Sequence, residues 1–332
     1  MSITRAILAL LVTGVSVSLA AQGRGRQAAS PPPQGRGAQP PAQNFDNVEV
    51  HSLHVQGNVW MLVGAGGNVT VQVGDEGVLL VDSSFAQMSE KISAEIKKIT
   101  TKPIYYIINT HAHPDHVGGN ENLATPPADF LAPNQVQIVA HENVLNRMSA
   151  PTGTQSPFPA SAWPTDTYFT KQKEIFFNNE PVILMHQPAA HTDGDTLVFF
   201  RRSDVISTGD LFQTTTFPFI DVERGGTLTG IIAAMNNILD ITVPKDKQEG
   251  GTYVIPGHGR LCDEHDVLEY RDMLTIIRDR AQDAVKKGIT LDQFKATKPT
   301  LDYDTRWGST GGLQTTEQFI EKIYNEMKTA KK

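Results

Sequence analysis

The sequence predicts a mixed α/β (α+β) domain in which two β-sheets pack together with helices outside. Two observations predict it. Short Val-rich segments punctuated by glycine open the domain and a second set of strand-like runs follows residue 170, and helical periodicities interleave with both sets, so that the chain reads as two similar halves.

The first residues read as an export signal. Arg5 supplies a positive start, Ala6 to Val17 is apolar apart from Thr13, Gly14 and Ser16, and Ser18-Leu19-Ala20 has the small-x-small pattern of a cleavage site. Residues 1–20 are therefore expected to be a signal peptide, and the mature protein to be periplasmic or secreted. The run is short for a membrane span, and no later segment is long and apolar enough to cross a bilayer. Residues 21–44 are rich in Gln, Gly, Arg, Pro and Ala and hold almost no large apolar side chain. Such a stretch cannot bury enough surface to offset its ordering, so it is expected to be a disordered linker.

The folded domain is expected over 45–262. Strands are predicted at Val48–Val55, Val59–Val63, Val69–Val73 and Val78–Val81, with Gly64, Gly66, Gly67, Gly74 and Gly77 as turn residues. This opening should be antiparallel. Ala86–Ile99 has helical spacing, with Met88, Ile92 and Ile96 on one face. Ile104–Ile108 is a buried-strand run that leads into a His-rich loop. Val136–Ala140 is a predicted strand, Glu142–Met148 a short helix, and Pro151 to Thr170 a surface loop. Ile175–Phe177, Val182–Met185, Leu197–Phe200, Val205–Thr208 and Tyr253–Ile255 complete the strands, and Ile231–Leu239 is helical. Residues 263–332 form a C-terminal helical extension packed on the domain: a long helix Asp263–Lys287, a turn around Pro299, and an amphipathic helix Thr316–Met327.

Bulk properties narrow the function. The formal net charge of -7 argues against a nucleic-acid partner held by a basic face. The single cysteine, Cys262, rules out an internal disulfide, and 332 residues suffice for a core without one. The expected partner is a small-molecule substrate; the oligomeric state is not encoded in any pattern.

The central chemical signal is Asn109-Thr110-His111-Ala112-His113-Pro114-Asp115-His116-Val117-Gly118-Gly119. A strand end delivers three imidazoles and a carboxylate within six positions. At alternating positions His111 and His113 leave on the same side. Pro114 stops the strand, so Asp115 and His116 address a neighbouring point, and Gly118-Gly119 permits tight turning. Imidazole nitrogen and carboxylate oxygen are the ligands of zinc sites that keep an open position. One cluster with two directions of projection suits two adjacent metals, which sit about 3.5–4 Å apart in dinuclear hydrolases. His191 lies just before a predicted strand, and Asp210 and His258 just after predicted strands, each beside a Gly-containing turn where a rigid scaffold carries functional groups.

The run from His111 to His116, followed in order by His191, Asp210 and His258, resembles the metallo-β-lactamase superfamily, over roughly Val48 to Arg260. Asp82, in Leu79-Leu80-Val81-Asp82-Ser83, matches that family's first motif aspartate. The resemblance implies a four-layer αββα metallo-β-lactamase sandwich with the metals at one edge of the sheets. It implies that His111, His113 and His191 hold one metal, that Asp115, His116 and His258 hold the other, and that Asp210 bridges them. Two Zn2+ are the implied cofactors, with Fe or Mn as other occupants. The implied activity is metal-dependent hydrolysis, in which a hydroxide held by the metals attacks an ester, lactone or β-lactam carbonyl. Asp115 would orient the nucleophile and relay its proton, and Asp82 would brace a ligand or the loop from behind.

Departures from the pattern bear on substrate. β-Lactamases with a cysteine ligand carry it where this chain has Asp210, with a lysine shortly after; here Gln213, Thr214, Thr215 and Thr216 follow. The all-histidine subclass has a serine at the Asp210 position. A bridging aspartate is similar to that of glyoxalase II, lactonases and other broad hydrolases. A glyoxalase II-like thioester hydrolase, a mononuclear iron sulfur dioxygenase and a non-catalytic metal-binding module are the alternatives. His51, His54, His141, His186 and His265 match no motif and are expected to be structural or exposed; His141 follows the strand Val136–Ala140, which would bring it near the site. Arg260 follows His258 closely enough to meet an anionic substrate. Trp60 and Gly64–Gly67 occupy the region of a flap, and Trp163, Phe212 and Phe217 are candidates for either the apolar wall of the site or the core.

Overall fold

In the computed structural model, which describes residues 44–125, 136–151, 156–247 and 250–330, thirteen strands form two sheets. The first sheet runs in the order β1 (His51–Gln56), β2 (Val59–Val63), β3 (Val69–Val73), β4 (Val78–Val81), β5 (Ile104–Ile108), β6 (Gln137–His141) and β7 (Asp166–Tyr168). β1 to β4 form an antiparallel meander, and β5, β6 and β7 then add in parallel. The second sheet runs β13 (Cys262–Asp263), β12 (Tyr253–Ile255), β11 (Val205–Ser207), β10 (Thr196–Phe200), β9 (Glu180–His186) and β8 (Gln172–Phe177). The expected signal peptide, and the expected linker apart from Asn44, lie outside the described residues.

The period-2 alternation of strand side chains explains how the layers meet. In the fully buried run Val78-Leu79-Leu80-Val81, Leu79 and Val81 point at the other sheet, where they pack with Val182, Leu184, Val198, Phe200 and Ile255. Val78 and Leu80 point the other way, onto Ile92 and Ile96 of α1 (Ser89–Ile99). Leu197, Ile206 and Val254 of the second sheet face outward onto α5 (Leu228–Ile241), α6 (Glu264–Lys286) and the C-terminal helix. Helix, sheet, sheet and helix thus form the four expected layers.

Shorter helices fill the connections, α2 (Pro114–Val117), α3 (Asn120–Ala124), α4 (Glu142–Ser149), α7 (Leu291–Ala296) and α8 (Asp304–Trp307), and the C-terminal helix is α9 (Thr316–Ala330). α6 starts with a capping box, in which Asp263 and Asp266 each accept the other's backbone N–H. α6 and α9 share one apolar cluster with α5, through Tyr270, Met273, Ile277, Phe319 and Ile323.

The expected loop from Pro151 to Thr170 holds more structure than the sequence suggested. Its described part contains a 3-10 turn, Ala160–Ala162, and the edge strand β7, whose Tyr168 is buried and pairs its hydroxyl with Thr196 Oγ1 at 2.7 Å. A strand of three residues offers no alternation to read, so tertiary pairing decides it. β1 starts at His51 rather than Val48, because Val48 N–H first closes a turn onto Phe45 O at 3.2 Å.

At the end of the sandwich away from the His-rich loop, the sheets are joined by a buried carboxylate. Glu180 Oε1 accepts from Gln72 Nε2 (2.8 Å) and Ser203 Oγ (2.9 Å), and its Oε2 accepts from the backbone N–H groups of Arg202 (3.1 Å) and Ser203 (3.0 Å). Every lone pair direction is used, which is the condition under which a buried charge is tolerated. Glu180→Ala would strand these donors, so it is expected to cost about 3 kcal/mol in urea unfolding. The exposed Glu174→Ala in the neighbouring strand β8 should cost well under 1 kcal/mol (about 0.5 at most). Equal midpoints for the two variants would refute the assignment.

Candidate metal centre

The site is assembled by strand ends at one edge of the sandwich. β4 ends at Asp82, which adopts a left-handed φ of 64 and receives Thr110 N–H on Oδ1 (2.8 Å) and Thr110 Oγ1–H on Oδ2 (2.7 Å). β5 ends in the turn that carries His111 and His113. Pro114 opens α2 at a position where its missing N–H costs nothing, and α2 presents Asp115 and His116. The loop between β9 and β10 brings His191, the 3-10 turn Gly209–Leu211 after β11 brings Asp210, and the turn after β12 brings His258.

The seven residues converge in two groups. One ligating atom from each of His111, His113, His191 and Asp210 lies within 4.8 Å of the others, and the same holds for Asp115, His116 and His258. His113 Nδ1 is 3.1 Å from His111 Nε2 and 3.0 Å from His191 Nε2. In the second group His258 Nε2 is 3.3 Å from Asp115 Oδ2 and 3.4 Å from His116 Nε2. Asp210 joins them. Its Oδ2 lies 4.0 Å from His111 Nε2 and 3.7 Å from His191 Nε2, and its Oδ1 lies 3.2 Å from His116 Nε2 and 3.3 Å from His258 Nε2.

The far nitrogen of four rings is held by an acceptor, and this fixes which nitrogen faces inward. Asp82 Oδ2 accepts from His116 Nδ1 at 2.7 Å. Asp221 Oδ2 accepts from His113 Nε2 at 2.9 Å, and the carbonyl oxygen of Phe219 accepts from His191 Nδ1 at 2.6 Å. Thr110 Oγ1, which donates to Asp82, accepts from His111 Nδ1 at 3.0 Å. With those protons placed outward, Nε2 of His111, His116 and His191 and Nδ1 of His113 turn their lone pairs to the centre.

Electrostatics divide the two groups. Burial, reinforced by His116, His191 and His113, holds the His111 imidazole well below its ordinary pKa, and burial pulls His191 down to about 4. Both are neutral ligands at neutral pH. In the second group burial acts the same way, but the Asp210 and Asp115 carboxylates outweigh it and push His258 up to about 9. His116 is raised against its burial by Asp210, Asp82 and Asp115. Burial favours the protonated form of Asp210, yet His116 and His258 hold its carboxyl well below the usual range. The second group thus calls for positive charge, which protons or a cation can supply.

Two features fit a metal in particular. Asp210 Oδ1 is buried and, despite its near neighbours, accepts no hydrogen bond, an expensive state for a carboxylate oxygen unless a cation meets it. Two glycines also make room: a Cβ on Gly67 would collide with the His116 ring, and one on Gly257 with Asp210 Oδ1. The donor set, nitrogen and carboxylate oxygen only, is that of zinc or a similar divalent ion.

Other sequence candidates fall outside the cluster. Phe212 and Phe217 belong to the core beneath α5, Trp163 packs around Ala162 and Phe158, and Trp60 stands edge-on to His54 at 4.8 Å. The Gly64–Gly67 turn does border the site, with Gly67 N–H bonded to Asp115 O at 3.1 Å. Arg260 is committed to Asp266 at the start of α6. His141 stacks on His186 at 3.7 Å, away from the ligands. Cys262 is buried, and burial pushes its thiol up to about 12, so it is an inert side chain.

Sequence reasoning missed Thr110, Phe219, Asp221 and Arg224. Arg224 donates to Asp221 Oδ2 at 2.6 Å and stands 3.2 Å from His113 Nε2, completing an Arg–Asp–His chain. The one available signal was Asp221 itself, a lone carboxylate in the apolar run Phe217 to Val222.

Gly67→Ala is expected to swing His116 away and break its bond to Asp82 without unfolding the domain. The downfield imidazole N–H proton resonance that this bond produces should vanish while the far-ultraviolet circular dichroism is retained; persistence of that resonance would show that the ring has room after all.

Comparison with known proteins identifies the family. Residues 62–258, more than half of the 332-residue chain, match the family model described as the metallo-beta-lactamase superfamily. The chain is 24% identical over 260 residues to a linear primary-alkylsulfatase of Pseudomonas sp. (strain ATCC 19151), covering 66% of this chain and 47% of that protein. It is 25% identical over 246 residues to the 2,4-dinitroanisole O-demethylase subunit alpha of Nocardioides sp. (strain JS1661), covering 74% of this chain and 68% of that one. Among solved structures, a stereoselective inverting sec-alkylsulfatase from Pseudomonas sp. superposes with a TM-score of 0.60 at 17% identity, over 83% of this chain and 50% of that chain. The chain therefore spans about half the length of the alkylsulfatases it matches.

Proposed function

This chain belongs to the metallo-β-lactamase superfamily, and from that premise we propose that it is an exported hydrolase that works with two zinc ions on an ester, lactone or β-lactam carbonyl. The observation that carries the proposal is Asp210, whose two carboxylate oxygens face different ligand groups while the buried Oδ1 accepts no hydrogen bond. His111, His113 and His191 would hold one ion, Asp115, His116 and His258 the other, and Asp210 both. When bound, such ions supply Lewis acidity for the substrate oxygen and lower the pKa of a water toward about 7.

The remaining chemistry falls to the chain's own groups. Asp115 is the more exposed of the two clustered carboxylates, at 19% of its side chain against 13% for Asp210. In this reading it would orient the attacking water, accept its proton and pass it to the leaving group. Asp82, Thr110, Asp221 and the Phe219 carbonyl keep the rings from turning, so the donors are set before substrate arrives. Gly67 and Gly257 keep the backbone close enough for the two groups to share one carboxylate.

The segment Arg5 to Ala20 supports the export part of the proposal. Protein recovered from the periplasm or medium should have a new amino terminus near Ala21; a mature protein that keeps Met1 would overturn it.

A second reading keeps the metals and changes the bond: hydrolysis of a sulfate ester. It is favoured by the likeness to the linear primary-alkylsulfatase, which extends over 66% of this chain. Nitrocefin, a set of lactones, S-lactoylglutathione and dodecyl sulfate, offered to zinc-loaded protein, separate the carbonyl, thioester and sulfate readings by which one turns over.

Elemental analysis of the full chain should find two equivalents of metal, and His258→Ala should lose about one of them, as a two-site centre requires. Asp115→Ala should keep its circular dichroism and lose about 10²–10⁴-fold in kcat, the range for a positioned acid–base group. Unchanged hydrolysis by Asp115→Ala, or loss of both metals from His258→Ala, would count against the roles assigned.

A further inference from the structure

The partners that hold His113 and His191 from behind come from one segment, the connection between β11 and α5, and that segment is tied at successive points to the C-terminal helix. Phe217 stacks on Phe319 of α9, with ring centroids 4.7 Å apart and planes 11° from parallel. Gln314 Nε2, just before α9, donates to Pro218 O at 2.7 Å. Lys322 Nζ donates to Ile220 O at 2.7 Å and to Gln314 Oε1 at 2.8 Å, and stands 4.5 Å from the centre of the Phe219 ring. Glu326 then accepts the free backbone N–H groups of Leu228 (2.7 Å) and Thr229 (3.0 Å) at the start of α5.

Lys322 sits at the middle of this row. Ile220, whose carbonyl it grips, lies between the two residues that matter to the ligands: Phe219 accepts from His191 Nδ1, and Asp221 accepts from His113 Nε2. The Phe219 ring under the ammonium is also 5.8 Å from both His113 and His191. Both hydrogen bonds of the ammonium go to carbonyl oxygens, so the charge is spent on backbone and amide placement. α9 lies beyond residues 62–258, the part of the chain that matches the family.

We propose that Lys322 is a positioning residue for the first metal-binding group: by fixing Ile220 it sets Phe219 O and Asp221 against His191 and His113, and thereby the affinity of His111, His113, His191 and Asp210 for a divalent cation. The proposal rests on the dinuclear metal centre argued above. Lys322 touches no ligand, and it acts by holding the acceptors that orient two imidazoles. Among the described residues no hydrogen bond links residues 217–221 to Asp115, His116 or His258, whose contacts with this connection come from Asp210 and from Thr214 N–H on His258 O at 3.1 Å, so the effect of Lys322 is confined to one of the two sites.

The test is a Co2+ titration of metal-free full-length protein, followed by visible absorption, for the wild type, Lys322→Met and Ile323→Ala. Methionine keeps the length and apolar stem of the lysine and removes the ammonium. Ile323 is fully buried in the same helix and its side chain is purely apolar, so Ile323→Ala reports what loosening the packing of α9 does without removing a hydrogen bond to the segment. A His258→Ala background identifies the step that belongs to the first group. Lys322→Met is expected to weaken that step about tenfold, the lower end for loss of a group that orients a ligand, and to leave the other step unchanged. Ile323→Ala should lower the Tm and leave the ratio of the two affinities as in the wild type. Two unchanged steps in Lys322→Met, or an equal and selective loss in Ile323→Ala, would overturn the proposal. A wild type that takes up no Co2+ would overturn the metal centre itself.

Discussion

Five imidazoles crowded at a dry edge of a protein can coexist only if their charge is controlled, and here a single buried carboxylate, Asp210, controls it. Its oxygens face both groups, and it suppresses the cost of positive charge at His116 and His258, while burial keeps His111 and His191 neutral against its pull. The architecture around it follows from bringing that oxygen pair to one point. β4, β5, β11 and β12 end at the same edge, Gly67 and Gly257 give up side chains there, and Asp82 accepts a left-handed backbone to reach His116 and Thr110 together. A backbone of that kind persists where surrounding bonds over-determine it, and Asp82 has three.

The sandwich supplies rigidity from the opposite direction. Its inter-sheet layer is apolar along Leu79, Val81, Val198 and Phe200, and at the far end the buried carboxylate of Glu180 between the sheets is fully bonded. Strain at the site is therefore not relieved by slippage of the sheets. The two ends serve opposite purposes: at Glu180 each oxygen is satisfied by the protein, whereas at Asp210 one oxygen is withheld from hydrogen bonding.

Much of this was legible in the sequence, for physical reasons. The strands Val59–Val63, Val69–Val73, Val78–Val81 and Ile104–Ile108 coincide with their observed bounds, because runs rich in valine, isoleucine and aromatic residues followed by Gly, Asp or Asn leave little choice. The run from His111 to His116 declared itself because imidazoles at a strand end have no cheap structural use. His191, Asp210 and His258 were readable only through their order and their places beside strand ends. What stayed hidden shares a different property. The Phe219 carbonyl has no sequence signature, Thr110 is one threonine among many, and Asp221, Arg224 and Lys322 act through contacts between segments 102 to 111 positions apart in the chain. The strand β7 was missed because three residues carry no period.

One consequence of the ligand order concerns biosynthesis. The first sheet contributes His111 to His116, and the second contributes His191, Asp210 and His258. Neither half alone presents a complete set of donors, and the last of them emerges only when about three quarters of the polypeptide has been made. Until the closing segments dock, a nascent chain lacks the full donor set, so a cation held there would be captured late in folding, in whichever compartment folding is completed. The compartment in which the last donors dock would thus decide which pool of ions the molecule samples.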